Sequence, residues 1–295
     1  MTGTHTAADS NGSQQGPASP QPRHRHEILA VIEEATTARR CLAVAERAAR
    51  IGSDCYVKAL HICADPSQLI CAPEELCFQR MRVPLEGTAR QRLERTHRTF
   101  ETWSAFCGVS NITWVERVGA IAPTLVTEAR TAALIAIAAP HNVDSVDALH
   151  AAIFSTNRPV LFIPTGMPVP SDLGRHIAIA WKPRPQARRA ILNTLRWLGA
   201  ASKVSVIAVD EPETSPNTPE VLELLDHYAI AARAFHVRTR AGQHIADRLL
   251  EETQALGADS LVMGAYRFGE LVEWIFGGVT REVLHRSTLP VFLAH

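Results

Sequence analysis

Two phrases of this chain are near copies, Arg158-Pro-Val-Leu-Phe-Ile-Pro164 and Leu289-Pro-Val-Phe-Leu-Ala-His295, and each closes a series of segments laid down in the same order. An apolar run opens each half, Glu27 to Ile32 and His176 to Trp181. A helix-period segment follows, Arg39 to Ile51 and Gln186 to Leu198, with apolar residues such as Leu42, Ala45 and Ala49 or Ile191, Leu195 and Leu198 on one face. The next strand candidates are Tyr56 to Ile62 and Lys203 to Val209. Alternating runs then end at glycine, Asn111 to Gly119 and Ala234 to Gly242, and short continuous apolar runs follow at Ala133 to Ala138 and Ser260 to Met263. A repeat of this length is a duplicated domain and not a solenoid.

Strands alternating with helices require crossover connections, so each half is predicted to be a doubly wound parallel sheet covered on both faces. The chain is thus read as α/β, two tandem Rossmann-like domains. A polar tail over residues 1–26 precedes a first domain at 27–165, and the Pro- and Gly-bearing segment 166–175 links it to a second at 176–295. Thr218 before Pro219 predicts a cap and first helical position, opening a helix that runs through Leu225 to Ala232.

Charge and composition narrow the function classes. Thirty basic residues balance thirty acidic ones, which gives no general attraction to nucleic acid or to an anionic membrane. The longest aliphatic run, Ala132 to Ala139, is far below the roughly 20 residues of a membrane span, so a cytosolic protein is expected. The six cysteines (Cys41, Cys55, Cys63, Cys71, Cys77, Cys107) form no Cys-x-x-Cys pair, and the thirteen histidines form no metal-like cluster. Reduced thiols are expected, with Cys71 and Cys77 as the alternative redox pair. The arginines at 80, 82, 90, 92, 95 and 98, interleaved with Glu86, Glu94 and Glu101, read as a solvated helical face with i,i+4 pairing. Trp103, Trp197 and Trp274 read as packing residues, and His285 as a surface residue near a helix end.

Chemistry is concentrated between Ser260 and Thr280. A buried strand runs into Gly264, and the pair Gly277-Gly278 opens a helix, an arrangement that brings main-chain N–H groups close to an anion. Ligands of doubly wound sheets bind outside the carboxyl ends of the strands, here Trp181-Lys182, Val209-Asp210 and Gly264. Signatures of dinucleotide, Walker-type and serine-hydrolase chemistry are missing.

Over nearly its full length the sequence resembles the universal stress protein family in its tandem form, most strongly from Leu261 onward. Nucleotide-binding members of that family carry Gly-x2-Gly-x9-Gly-[Ser/Thr]; Gly264 and Gly277 match the first and third glycines with the spacing intact. Arg267 stands at the second glycine, Gly278 at the hydroxyl position, and Thr280 at the family's second hydroxyl position, with Val279 between them. Arg267 either clamps phosphate or fills its place. Lys182 stands where the family has Asp or Asn, and Val209 matches a position whose main chain contacts the base. The first half has Ala139-Pro140-His141 in place of the opening glycine and no glycine between Gly119 and Gly166, so it is expected not to bind.

The resemblance implies a regulatory stress protein with an ATP or AMP site in its second domain, and Mg only with ATP. It implies no catalytic role beyond, at most, slow ATP hydrolysis. A nucleotide-free interaction protein is the alternative. The implied partners are an unidentified protein, no nucleic acid and no membrane. The strands around Val160 to Ile163 and Val291 to Ala294 are expected to pair internally as a pseudo-dimer, with a further homodimer possible.

Overall fold

The structure is a computed structural model that describes residues 26–51, 54–65, 73–168, 173–210, 217–265 and 278–295. Arg267, Trp274 and Gly277 lie outside those residues, as do Cys71 and part of the expected linker. The first half runs β1 (His26–Val31), α1 (Ala35–Ile51), β2 (Cys55–Cys63), α2 (Pro73–Glu86), α3 (Ala89–Cys107), β3 (Ile112–Val118), α4 (Ile121–Glu128), β4 (Ala132–Ala138), α5 (Val143–Ser155) and β5 (Val160–Ile163). The second half runs β6 (His176–Trp181), α6 (Pro185–Ala200), β7 (Lys203–Asp210), α7 (Thr218–His227), β8 (Ala232–Arg238), α8 (Ile245–Ala255), β9 (Ser260–Gly264), α9 (Gly278–Arg286) and β10 (Val291–Ala294).

All ten strands form one sheet in the order β3-β2-β1-β4-β5-β10-β9-β6-β7-β8. Pairing is parallel everywhere except at the centre, where β5 and β10 run antiparallel with Phe162 opposite Val291 and Val160 opposite Leu293. The pairing expected from the resemblance is therefore present. It gives each half's last strand a neighbour on its otherwise open edge. In both halves the strand order reverses once, between β1 and β4 and between β6 and β9.

Two apolar layers sandwich the sheet. One face carries α1, α3, α6 and α7, with Leu42, Trp103, Trp197 and Leu225 buried against it. The other carries α4, α5, α8 and α9, with Leu125, Leu149, Leu249 and Val283. Because both faces are covered, β4 reads Ala-Ala-Leu-Ile-Ala-Ile-Ala with hardly a polar residue, whereas the edge strand β3 is half-exposed along its length. Local signals set several ends. Thr88 and Gln91 form a capping box before α3, and Gly108 closes it in the left-handed conformation at φ 60.

Several sequence expectations need correction. β1 already includes His26, the last residue assigned to the tail. α7 stops at His227, short of Ala232, because Ala229 turns to φ 56 and the chain re-enters the sheet at Ala232. The residue in the cap position is Asn217 and not Thr218, whose hydroxyl instead meets His236 Nε2 at 3.0 Å. β8 ends at Arg238, before Gly242. The arginine-rich region is two helices, and two of its arginines are not solvated: Arg82 and Arg92 are 5% and 8% exposed. Arg90 does pair with Glu94 at i,i+4 on the surface. Trp103 and Trp197 are core residues, and His285 is exposed in the last turn of α9.

Candidate functional site

In the second half the crevice at the strand reversal is opened by the strands themselves. The register between β6 and β9 ends at Ile179 opposite Val262, whereas β6 continues to Trp181 and β9 to Gly264. The two carboxyl ends therefore part, and the crevice lies between them. β7 also outruns β6: their register ends at Trp181 opposite Ala208, which leaves Val209 paired only on its other side, with Val237 of β8. Val209 is half-buried, so its main chain borders the crevice on the side that lacks a β6 partner.

Gly264 is buried at the end of β9, where a Cβ would lie 2.8 Å from both Ala187 N and Gln186 C. Main-chain atoms cannot swing aside as a flexible side chain can, so this glycine is required by close approach to the start of α6. Lys182 is half-buried just past β6, and its carbonyl accepts from Arg184 N at 2.7 Å, which folds the connection into a tight turn leading to Pro185 at the head of α6. Arg184 provides no side-chain cap for that helix.

At α9 the first turn has no acidic residue. Gly278 is exposed, and no described atom lies within 4 Å of where a Cβ would stand. Val279 is half-buried against the apolar layer, and Thr280 is 1% exposed. The Thr280 Oγ1 atom is buried and has no hydrogen-bond partner among the described residues, which is rare for an interior hydroxyl. Of the eight residues read from the sequence, Lys182, Val209 and Gly264 thus lie at the carboxyl edge of the sheet, and Gly278, Val279 and Thr280 open α9. Arg267 and Gly277 lie outside the described residues.

The equivalent edge of the first half is closed. β1 and β4 stay paired to Val31 opposite Ile137, at the end of β1. The connection from β4 to α5 is only four residues long, Ala139 to Asn142. Helix α5 is capped by its own neighbours: Asn142 Oδ1 accepts from Ser145 N at 2.9 Å, and Glu34 Oε1 accepts from His141 N at 2.9 Å and from Ser145 Oγ at 2.6 Å. Where an external anion would sit, the protein places a carboxylate.

Beneath that edge lies a buried ionic cluster that sequence reading missed. Arg82 grips Asp144 with two hydrogen bonds, of 2.9 and 3.0 Å, Arg92 reaches the same carboxylate at 3.5 Å, and Arg82 also holds Glu86. Glu33 is buried beside them. Its Oε1 accepts from Ile62 N at 3.2 Å, while its Oε2 has no hydrogen-bond partner and lies 3.9 Å from His61 Nδ1. Burial, reinforced by the Asp144 charge, pushes the Glu33 carboxyl well above its ordinary value. Burial also pulls His61 down from its ordinary value, and because its Nδ1 lies 2.7 Å from the Ile32 carbonyl, that nitrogen must carry the hydrogen. The acidic Glu33 and Glu34 just past β1 were the available sequence signal, but nothing local indicated that arginines from α2 and α3 would fold over them.

Among the described residues no group of His, Cys, Asp or Glu is arranged to hold a metal ion, and no helix is long and apolar enough to cross a membrane. Cys41, Cys55 and Cys63 are buried free thiols, and Cys77 and Cys107 are exposed. Burial raises the Cys41 thiol to about 12, which leaves it an unreactive core residue.

Residues 175–295 match the family model described as the universal stress protein family. No curated protein matches the sequence. The fold is similar to that of a universal stress protein from Archaeoglobus fulgidus DSM 4304, with a TM-score of 0.61 and 15% identity over 91% of this chain and 97% of that one. It is also similar to a functionally unknown protein from Pseudomonas aeruginosa PAO1, with a TM-score of 0.52 and 15% identity over 92% of each chain. At such identities the likeness is one of fold.

Proposed function

We propose, from the match of residues 175–295 to the universal stress protein family model, that the chain is a regulatory stress protein whose second half binds one adenine nucleotide. The observation that carries this reading is the first turn of α9: it lacks an acidic residue, and it holds the buried, unpartnered hydroxyl of Thr280. A phosphate oxygen is a natural acceptor for that hydroxyl, and the helix N-terminus favours negative charge. The parting of β6 from β9 supports the same reading by opening the crevice beside it.

Lys182 gives the site a different character from one with a carboxylate at that position. A carboxylate accepts from ribose hydroxyls, whereas an ammonium donates and attracts anions, so charge recognition outweighs sugar recognition here. Nucleotides with more phosphate groups are therefore favoured, ATP over AMP, with Mg accompanying ATP alone. The output is a shift between conformations, which requires that nucleotide bind one of them more tightly.

Thermal unfolding with and without ATP tests the reading. At a hundred times the dissociation constant, one-site binding adds about 2.7 kcal/mol of stability. A midpoint that does not move at millimolar ATP, ADP or AMP overturns it in favour of a nucleotide-free interaction protein. Phosphate release that accompanies binding and disappears with it would instead indicate slow hydrolysis at the same site.

A further inference from the structure

We propose that the groove between α1 and α3 binds a small apolar anion, a compound with a hydrocarbon or aryl body and one carboxylate or comparable acid group. The groove encloses about 770 Å³, within the roughly 300–1,000 Å³ typical of small-ligand sites. It runs along α1 from Arg39 to Ile51, about 18 Å at 1.5 Å per residue. Except for Leu173 of the linker it is lined by the first half, apart from the crevice formed by β6, β9 and α9, and its existence does not depend on nucleotide binding.

Its chemistry is two-sided. Trp103 and Leu173 are buried in its lining, Ile51 and Val109 are partly exposed there, and Phe106 stands 91% exposed beside them. A solvent-facing phenyl next to an indole and aliphatic side chains is an unfavourable surface in water, and an apolar ligand body would cover it. Three guanidinium groups line the groove from α1, those of Arg39, Arg47 and Arg50. The carboxylate among the lining residues, Glu46, is already paired with Arg50. Arg47 donates to the Ala43 carbonyl at 3.0 Å, and Arg39 has neither a hydrogen bond nor an ion pair among the described residues. In a chain of zero formal net charge, this is a local excess of cations over an apolar floor. An acid group would find the guanidinium groups while its body lies on Trp103 and Phe106.

Cys107 makes the site addressable, because this exposed thiol lines the groove, whereas Cys77 is an exposed thiol on α2 and not among the lining residues. The full-length protein is alkylated with iodoacetamide in the presence of decanoate, and modification at each cysteine is followed by mass spectrometry. Decanoate is expected to slow Cys107 several-fold and leave Cys77 unchanged, while decyltrimethylammonium protects neither. Octanoate, two methylenes shorter, is expected to bind roughly tenfold more weakly. The double variant Arg39→Gln/Arg47→Gln is expected to lose about tenfold in decanoate affinity, and Arg39→Gln alone, which removes no intramolecular partner, a smaller share in the same direction. Equal protection by the cationic amphiphile, no protection by decanoate, or unchanged affinity in both variants would overturn the proposal.

Discussion

Thr280 and Glu33 are both polar groups buried with an oxygen that no partner meets, and they differ in how the protein tolerates this. For Thr280 the unmet hydroxyl is a cost that a ligand can offset. Thr280→Val keeps the shape and removes the hydroxyl, so the nucleotide-free protein should gain about 1 kcal/mol while ATP affinity falls about tenfold. Denaturant titration and calorimetry read the two effects separately, and a variant that loses stability without losing affinity would assign the hydroxyl a purely structural role. For Glu33 the protein suppresses the charge instead. Because its folded pKa is raised, the folded state holds the proton longer than the unfolded chain does. Its contribution to stability is therefore fully present below the ordinary 4.5 and is lost as pH rises through the folded value. His61 has the opposite sign: its folded pKa is depressed, so stability falls as pH drops below the ordinary 6.5. Glu33→Gln removes the first dependence, and its stability relative to the parent should rise steadily with pH above the carboxylate range. A difference that stays flat between pH 5 and pH 9 would contradict that account.

The β9–α6 contact and the α2–α3 pair show what sequence can and cannot reveal about elements. The spacing of Gly264 to Gly277 was visible in the sequence, but the close approach of Gly264 to Gln186 and Ala187 was not, because that contact joins segments far apart in sequence. Gly264→Ala forces a methyl against main chain at 2.8 Å and should cost about 1–3 kcal/mol, visible as a lower denaturant midpoint with unchanged slope. The helices α1 and α6 were legible because their apolar stripes repeat at 3.6 residues. The regular arginine spacing across α2 and α3 pointed to a wet surface, and here tertiary contact overrode pattern: Arg82 and Arg92 turn inward because Asp144 of α5 is there to receive them. Asp144→Ala leaves two buried guanidinium groups short of a counter-charge and should cost about 3–5 kcal/mol. If thermal melting shifts by less than a few degrees, the cluster is not holding α2 and α3 over the sheet.

Duplication was the most legible property of the molecule, since the repeated strand-closing phrases at Val160 to Ile163 and Val291 to Ala294 proved to be neighbouring strands. Continuity of the two sheets was implied by the family resemblance and not by the repeat itself, and neither conveyed that helices of both halves meet on one face. Trp197 of α6 packs on Phe292 at 5.6 Å between ring centroids and donates its indole N–H to the Ala48 carbonyl of α1 at 3.2 Å. Trp197→Ala should therefore cost about 3–5 kcal/mol and weaken both halves together, retaining one cooperative transition. Two separated transitions in calorimetry would mean that the halves unfold independently despite the shared sheet. The copies have also diverged: the first half places the Glu34 carboxylate at the head of α5, whereas among the described residues of the second half β6 and β9 part before their carboxyl ends. Isothermal titration of the intact chain with ATP reads that asymmetry most directly. The account predicts one nucleotide per chain, whereas two equivalents, or no heat at millimolar ATP, would contradict it.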